Sequence, residues 1–160
     1  MHITTGDINT ALSVMREAAG RLRDGGQAMW DLQELNREQL RNPPEEFYVL
    51  YEGETATACM LLTATDSFFW PDIPPGSSLF LHKMAVRNAY TGQGYAQALI
   101  AHAAQVCRAQ NIPWLRLDCD PQRAGLCRLY EGAGFTLRNT KTLCTKRLGL
   151  IDVAFYEMKV

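Results

Sequence analysis

The run Leu81-His82-Lys83-Met84-Ala85-Val86 reads as a strand, and it leads through Arg87-Asn88-Ala89-Tyr90 into Thr91-Gly92-Gln93-Gly94. A helical stripe follows at once: Ala96, Leu99, Ile100, Ala103 and Cys107 recur at three- and four-residue steps until Asn111 to Pro113 stops them. No other segment constrains the chain as much. The first turn of a helix carries four N–H donors without intrahelical acceptors and the positive end of the macrodipole. Glycines at that point remove the side chains that would hold a phosphate away from those amides. The segment therefore has the architecture of an anion site, and a pyrophosphate is the guest it suits.

Known phosphate loops narrow the reading. A P-loop needs a Lys followed by Ser or Thr after its last glycine, and Gly94 is followed by Tyr95-Ala96. A dinucleotide fingerprint needs a third glycine where Gln97 stands, and glycines closer to the strand end. By themselves, Gly92 and Gly94 are equally consistent with glycines that only shape a loop.

The remaining periodicity predicts an α+β domain over residues 1–160. Ile8, Leu12, Met15, Ala19 and Leu22 follow Asp7 as an amphipathic helix closed by Gly25-Gly26, and a second helix is predicted through Leu32 and Leu35 to Leu40, ended by Pro43-Pro44. Phe47–Tyr51 and Thr55–Leu62, joined by Glu52-Gly53-Glu54, read as an antiparallel hairpin. After a loop from Thr65 to Ser78, strands are predicted at Leu79–Val86 and Trp114–Cys119. Leu126, Leu129, Tyr130 and Ala133 then mark a short helix ended by Gly134. Phe135 onwards and Ile151–Met158 are the last two strands.

The composition sets the outer limits. With 160 residues, 47% hydrophobic and 21% charged, the chain buries a core without staples. No apolar run is long enough to span a membrane, and the first residues lack the basic flank and apolar block of a signal peptide. Five scattered cysteines with no C-x-x-C predict reduced thiols and a cytoplasmic protein. A net charge of -1 argues against nucleic-acid binding. The charge is nevertheless divided: residues 1–80 hold five Arg and twelve acids, residues 81–160 eleven basic groups and five acids. Two mutually attracting faces would explain this, as would an anionic ligand on the second half and a cationic one admitted by the first.

Two motifs carry a resemblance to a known family. Met84-Ala85-Val86 followed by Thr91-Gly92-Gln93-Gly94-Tyr95-Ala96 is similar to the acetyl-coenzyme A motif of the GNAT superfamily of N-acetyltransferases, with Thr91 in place of the usual Gln or Arg. Leu129-Tyr130-Glu131-Gly132-Ala133-Gly134-Phe135 is similar to the family's L-Y-x-x-x-G-F, with Arg123 where an Asn often precedes the Tyr. The resemblance implies a mixed sheet of about seven strands flanked by about four helices. It also implies acetyl transfer from acetyl-CoA to a primary amine by direct attack, with no metal. Met84, Ala85 and Val86 would meet the pantetheine arm, and Thr91, Gly92, Gln93, Gly94, Tyr95 and Ala96 would take the pyrophosphate.

The same resemblance makes Tyr130 the acid that protonates the departing thiolate; the residues alone also allow a packed helix position on the Leu126/Leu129/Ala133 stripe. Histone-type members carry a glutamate base where Phe80 stands, whereas arylalkylamine-type members carry a histidine at the position of His82. His82 is thus the candidate base, beside proton loss through water; Asp118 and Asp120 are weaker candidates. Trp30, Phe69 and Trp70, among acids Asp31, Glu34, Asp66 and Asp72, suggest a pocket for a cationic amine, or core cover, or a dimer contact. Monomer and homodimer both stay open. The rival readings are a non-catalytic acyl-CoA-binding sensor and a nucleotide-binding α/β protein.

Overall fold

A computed structural model of the chain describes residues 1–27 and 29–160. The seven strands are β1 (His2–Thr5), β2 (Phe47–Glu52), β3 (Thr55–Thr63), β4 (Ser78–Val86), β5 (Trp114–Cys119), β6 (Thr136–Thr145) and β7 (Gly149–Lys159). They form one mixed sheet in the order β1-β2-β3-β4-β5-β7-β6. β4 and β5 pair in parallel, while β1 with β2, β2 with β3, β5 with β7 and β6 with β7 are antiparallel. The helices are α1 (Ile8–Asp24), α2 (Arg37–Leu40), α3 (Tyr95–Ala109) and α4 (Ala124–Gly132). Among the described residues, seven strands and four helices agree with the numbers the family resemblance implies, and β1 is the strand that the periodicity does not locate.

By packing, the chain forms two compact units, residues 1–62 with 82–101 and residues 63–81 with 102–160; β4 and α3 each run from one into the other. In the first unit the Asp7 side chain accepts the Thr10 N–H at 3.1 Å and opens α1. The helix buries Ala11, Leu12, Val14, Met15 and Ala18 against Phe47, Val49, Cys59, Leu61 and Ala85. The stripe expected on α1 is therefore its core face.

The predicted second helix is broken into pieces. A 3-10 turn covers Leu32–Glu34, α2 is a single α-turn, and a second 3-10 turn covers Pro44–Glu46. Local side-chain caps cause the break. Asp31 accepts the Gln33 N–H at 2.9 Å and Asn36 the Gln39 N–H at 3.0 Å, so each short turn starts on its own cap.

In the second unit, β4 and β5 pair from Ser78–Trp114 to Phe80–Arg116, and β4 continues beyond that ladder to Val86. Trp70, Phe80, Val153 and Phe155 form a buried cluster there. α4 ends in a Schellman cap: Gly134, at φ 102°, donates to the Glu131 carbonyl, and Phe135 donates to the Tyr130 carbonyl at 3.1 Å. The Tyr130 and Phe135 rings meet edge to face at 5.9 Å, which completes the hydrophobic contact of that cap. The spacing Tyr-x-x-x-Gly-Phe is thus the spacing of a helix stop.

Candidate functional site

The loop that joins β4 to α3 is anchored before it reaches the glycines. Arg87 donates through Nε to the Ala56 carbonyl at 2.8 Å and through Nη2 to the Ser13 hydroxyl at 3.0 Å, and it pairs with Glu17. The other Glu17 oxygen accepts the Asn88 N–H at 2.8 Å. Burial raises the Glu17 pKa, but the Asn88 N–H and the Arg87 guanidinium outweigh it and hold the carboxyl below its usual range. Neither Arg87 nor Glu17 is among the residues singled out from the sequence.

This anchor gives a stability prediction. Glu17→Ala removes both acceptors, and the bonded groups are charged but partly solvated, so the loss is about 1 kcal/mol. The denaturation midpoint should fall with an unchanged slope. Because the folded carboxyl titrates low, its contribution is present above an ordinary Glu pKa of about 4.3 and fades as the pH falls through the folded value. The wild-type and Glu17→Ala midpoints should therefore converge in acid.

Past the anchor, a 3-10 turn covers Asn88–Tyr90. The Thr91 hydroxyl donates to the Asn88 carbonyl at 3.0 Å and Gln93 Nε2 donates to the Ala89 carbonyl at 2.7 Å. Both side chains brace the loop. Gly92 and Gly94 adopt φ of 75° and 89°, a region L side chains rarely occupy, and a Cβ at either would meet nothing within 4 Å. The space over the turn is open, and α3 starts immediately behind it, with the Ala98 N–H donating to the Gly94 carbonyl at 3.0 Å. An open turn of glycines ahead of a fifteen-residue helix fits a pyrophosphate held by backbone amides.

Tyr95 supplies a backbone position and an anchor. Its hydroxyl donates to the Glu52 carboxylate, which pushes the phenol up to about 12, and its ring meets Tyr90 edge to face at 5.3 Å. The ring is buried and ties α3 to the end of β2.

β4 carries a feature with no signature in its residue types. Lys83 lies at φ 50°, in the left-handed region, in the middle of the strand. The two-residue alternation that would set Phe80, His82, Met84 and Val86 on one side is interrupted there. Ala85 turns into the core of the first unit, while His82, Lys83, Met84 and Val86 are half-buried. The Lys83 ammonium lies 5.1 Å from the centre of the Trp30 ring. Trp30, His82, Met84 to Val86 and Thr91 to Ala96 thus all belong to the first unit.

Tyr130, Phe69 and Trp70 belong to the second. Tyr130 is buried, with the Tyr156 ring at 6.1 Å, and Tyr156 in turn donates to Glu131 at 2.9 Å. Burial, with Cys119, Asp118 and Cys127 nearby, raises the Tyr130 phenol well above the usual range. Its hydroxyl therefore stays protonated across the physiological pH range. The Cys119 and Cys127 sulfurs lie 3.9 Å apart.

Of the alternatives left open for the aromatics, core cover is the one that describes Trp70. This indole is 5% exposed and packs on Phe80 and Phe155. The guanidinium carbons of Arg116 and Arg138 lie 5.6 and 5.8 Å from its ring centre. Trp70 is core, and cations already cover its ring. The acids noted beside the aromatics also have local duties. Asp31 caps a 3-10 turn, and Asp66 accepts the Phe69 N–H at 2.9 Å. Phe69 is stacked edge to face on the exposed Phe68 at 4.8 Å.

Comparison with known proteins follows the same lines. The model of the acetyltransferase (GNAT) family matches residues 13–135. An uncharacterised N-acetyltransferase of Bacillus subtilis, YesJ, is 26% identical over 137 residues, covering 81% of this chain and 76% of that protein. The structure of a GNAT-family acetyltransferase from Listeria monocytogenes superposes with a TM-score of 0.76 at 20% identity, over 99% of this chain and 94% of the other. yncA of Salmonella typhimurium, solved with its cofactor acetyl-CoA, superposes with a TM-score of 0.68 at 18% identity, over 99% and 93% of the two chains.

Proposed function

Because the chain belongs to the acetyltransferase (GNAT) family, we propose that it transfers the acetyl group of acetyl-CoA to a primary amine by direct attack of the amine. The observation that carries this reading is the pair of left-handed glycines, Gly92 and Gly94, open to solvent immediately ahead of α3. The solved relative that holds acetyl-CoA supports the choice of cosubstrate.

Acetyl-CoA supplies the acetyl group as a thioester whose carbon accepts the amine. The chain's own residues have four duties in this reading. Amides of Gly92 to Ala96 hold the pyrophosphate, helped by the positive end of α3. The backbone of Met84, Ala85 and Val86, on the part of β4 that continues past its ladder with β5, holds the pantetheine arm. His82 takes the ammonium proton so that a neutral amine attacks. Tyr130, kept protonated by its burial, gives a hydrogen bond and then a proton to the departing sulfur.

The acceptor is a primary amine, and aromatic capture of its charge is not part of the reading. Lys83 already lies over Trp30, and Arg116 and Arg138 over Trp70. No described helix is long and apolar enough to cross a membrane; the cytoplasm is the compartment this reading proposes.

The test is thiol release from acetyl-CoA against a panel of primary amines, with the acetylated amine identified by mass. Amine-dependent release with a matching acetylated product is the expected result. Tight coenzyme A binding with no release across polyamines, amino acids, aminoglycosides and peptide N-termini would favour the sensor reading.

A further inference from the structure

Two thiols lie together in the second unit, and the acetyl-transfer chemistry uses neither. Cys119 is the last residue of β5 and Cys127 lies in the first half of α4. The turn between them is closed by Asp120. Its side chain accepts the Gln122 N–H at 2.8 Å, its carbonyl accepts the Arg123 N–H at 3.1 Å, and its carboxylate lies 3.8 Å from the Arg123 guanidinium. The fold thus returns α4 to the strand end and sets the two sulfurs 3.9 Å apart, in van der Waals contact. Both residues are half-buried, whereas Cys59 and Cys107 are buried.

We propose that Cys119 and Cys127 form an intramolecular disulfide when hydrogen peroxide oxidises them, and that closing this bridge slows acetyl transfer. Bond formation shortens the sulfur separation from 3.9 Å to about 2.05 Å. In the first step one sulfur attacks the peroxide: an S–O bond forms, the O–O bond breaks, and water leaves with the thiol's proton. The sulfur is now a sulfenic acid. In the second step the other sulfur attacks it, the S–S bond forms, the S–O bond breaks, and a second water leaves. Two thiols lose two electrons in all, and the hydrogen peroxide takes them.

Placement selects this pair over the other three cysteines. Cys59 and Cys107 are fully buried, and burial raises both thiols, Cys107 to about 11. Cys144 is exposed on β6 and distant in sequence from any other cysteine. Burial also keeps Cys119 protonated, so the reaction needs excess hydrogen peroxide. Once one sulfur of the pair is oxidised, however, its partner is held at a concentration no external thiol reaches.

The effect on turnover rests on the role given to Tyr130 above; formation of the bridge does not. Cys127 and Tyr130 are three residues apart on α4 and so share a face. Cys119 and Cys127 belong to the surroundings that set the phenol's titration. A bridge pulls the start of α4 toward β5 and displaces the hydroxyl, and a displacement of about 1 Å is enough to cost about a hundredfold in a positioned group.

The experiment treats the reduced full chain with excess hydrogen peroxide, then alkylates all remaining thiols in denaturant and weighs the chain. Of the five cysteines, the two in the bridge should resist alkylation, and a peptide should link Cys119 to Cys127. Turnover with the fastest amine of the panel should fall about a hundredfold, and a dithiol reductant should restore it. Cys127→Ser, or Cys119→Ser if the first folds poorly, should keep its rate under peroxide. Oxidation of Cys144 while Cys119 and Cys127 still alkylate fully would overturn the dithiol. A bridge that forms with turnover unchanged would overturn its effect on catalysis. If the reduced chain turns over no amine at all, the acetyl-transfer reading fails, and the mass measurement still decides the bridge.

Discussion

Tyr130→Phe should lower kcat by about 10²-fold or more while the KM for acetyl-CoA stays nearly constant. The substitution keeps the ring, and with it the contacts to Phe135 and Tyr156 at 5.9 and 6.1 Å. The backbone of the Schellman cap is untouched, because it uses the Tyr130 carbonyl and not the hydroxyl. Only the O–H is lost. Such a donor matters when negative charge grows on the leaving sulfur, so its absence acts on the transition state more than on binding. The raised phenol adds a pH expectation. Its folded value lies above the ordinary tyrosine range, so no alkaline loss of kcat assignable to Tyr130 should occur below pH of about 10. Steady-state kinetics on the folded variant check both points; wild-type turnover in Tyr130→Phe would reduce Tyr130 to a helix-stop residue.

His82→Gln should lower kcat/KM by about 10²-fold and remove one limb of its pH profile. A base must be neutral to act, so the wild-type rate should rise with pH as the imidazole loses its proton. The acceptor's own ammonium produces a second rising limb, at higher pH for most alkylamines. Glutamine keeps the polarity and approximate size of the half-buried side chain but cannot take the proton. The lower limb should vanish and the upper one remain. An unchanged profile would mean that water removes the proton.

The parts of this fold that the sequence reveals are those encoded by neighbouring residues. β5 lies at Trp114–Cys119, the bounds predicted for it, and Glu52 to Thr55 turns the β2–β3 hairpin. Gly134 and Phe135 end α4 because a Schellman cap is written within six residues. The segment from Thr91 to Ala96 is equally local, and its glycines occupy the left-handed conformations that glycine best tolerates.

What the sequence conceals is tertiary. Arg87 and Glu17 are 70 residues apart, and nothing in either neighbourhood announces the pair. The left-handed Lys83 has no residue-type signal, because lysine does not favour that region. Leu32, Leu35 and Leu40 have helical spacing, yet the caps at Asp31 and Asn36 divide the segment. Trp70 looks like a pocket wall beside acids, but two arginines from β5 and β6 reach its ring from afar in sequence. The contact between Cys119 and Cys127 depends on the turn at Asp120, which the spacing of the two cysteines does not specify.

The central claim is that coenzyme A is held at the glycine turn ahead of α3, and calorimetric titration of coenzyme A into the wild-type chain and into Gly94→Glu tests it most directly. At Gly94 a Cβ would meet nothing within 4 Å, so the glutamate has room; its cost to the fold is the positive φ of 89°, of the order of 1–3 kcal/mol. Circular dichroism identifies the folded fraction before titration. The added carboxylate lies where the pyrophosphate is held, so both bulk and charge oppose binding. Saturable binding by the wild type and at least a tenfold weaker affinity in folded Gly94→Glu, about 1.4 kcal/mol, is the predicted result. Equal affinity in the two folded proteins would contradict the assignment of the turn.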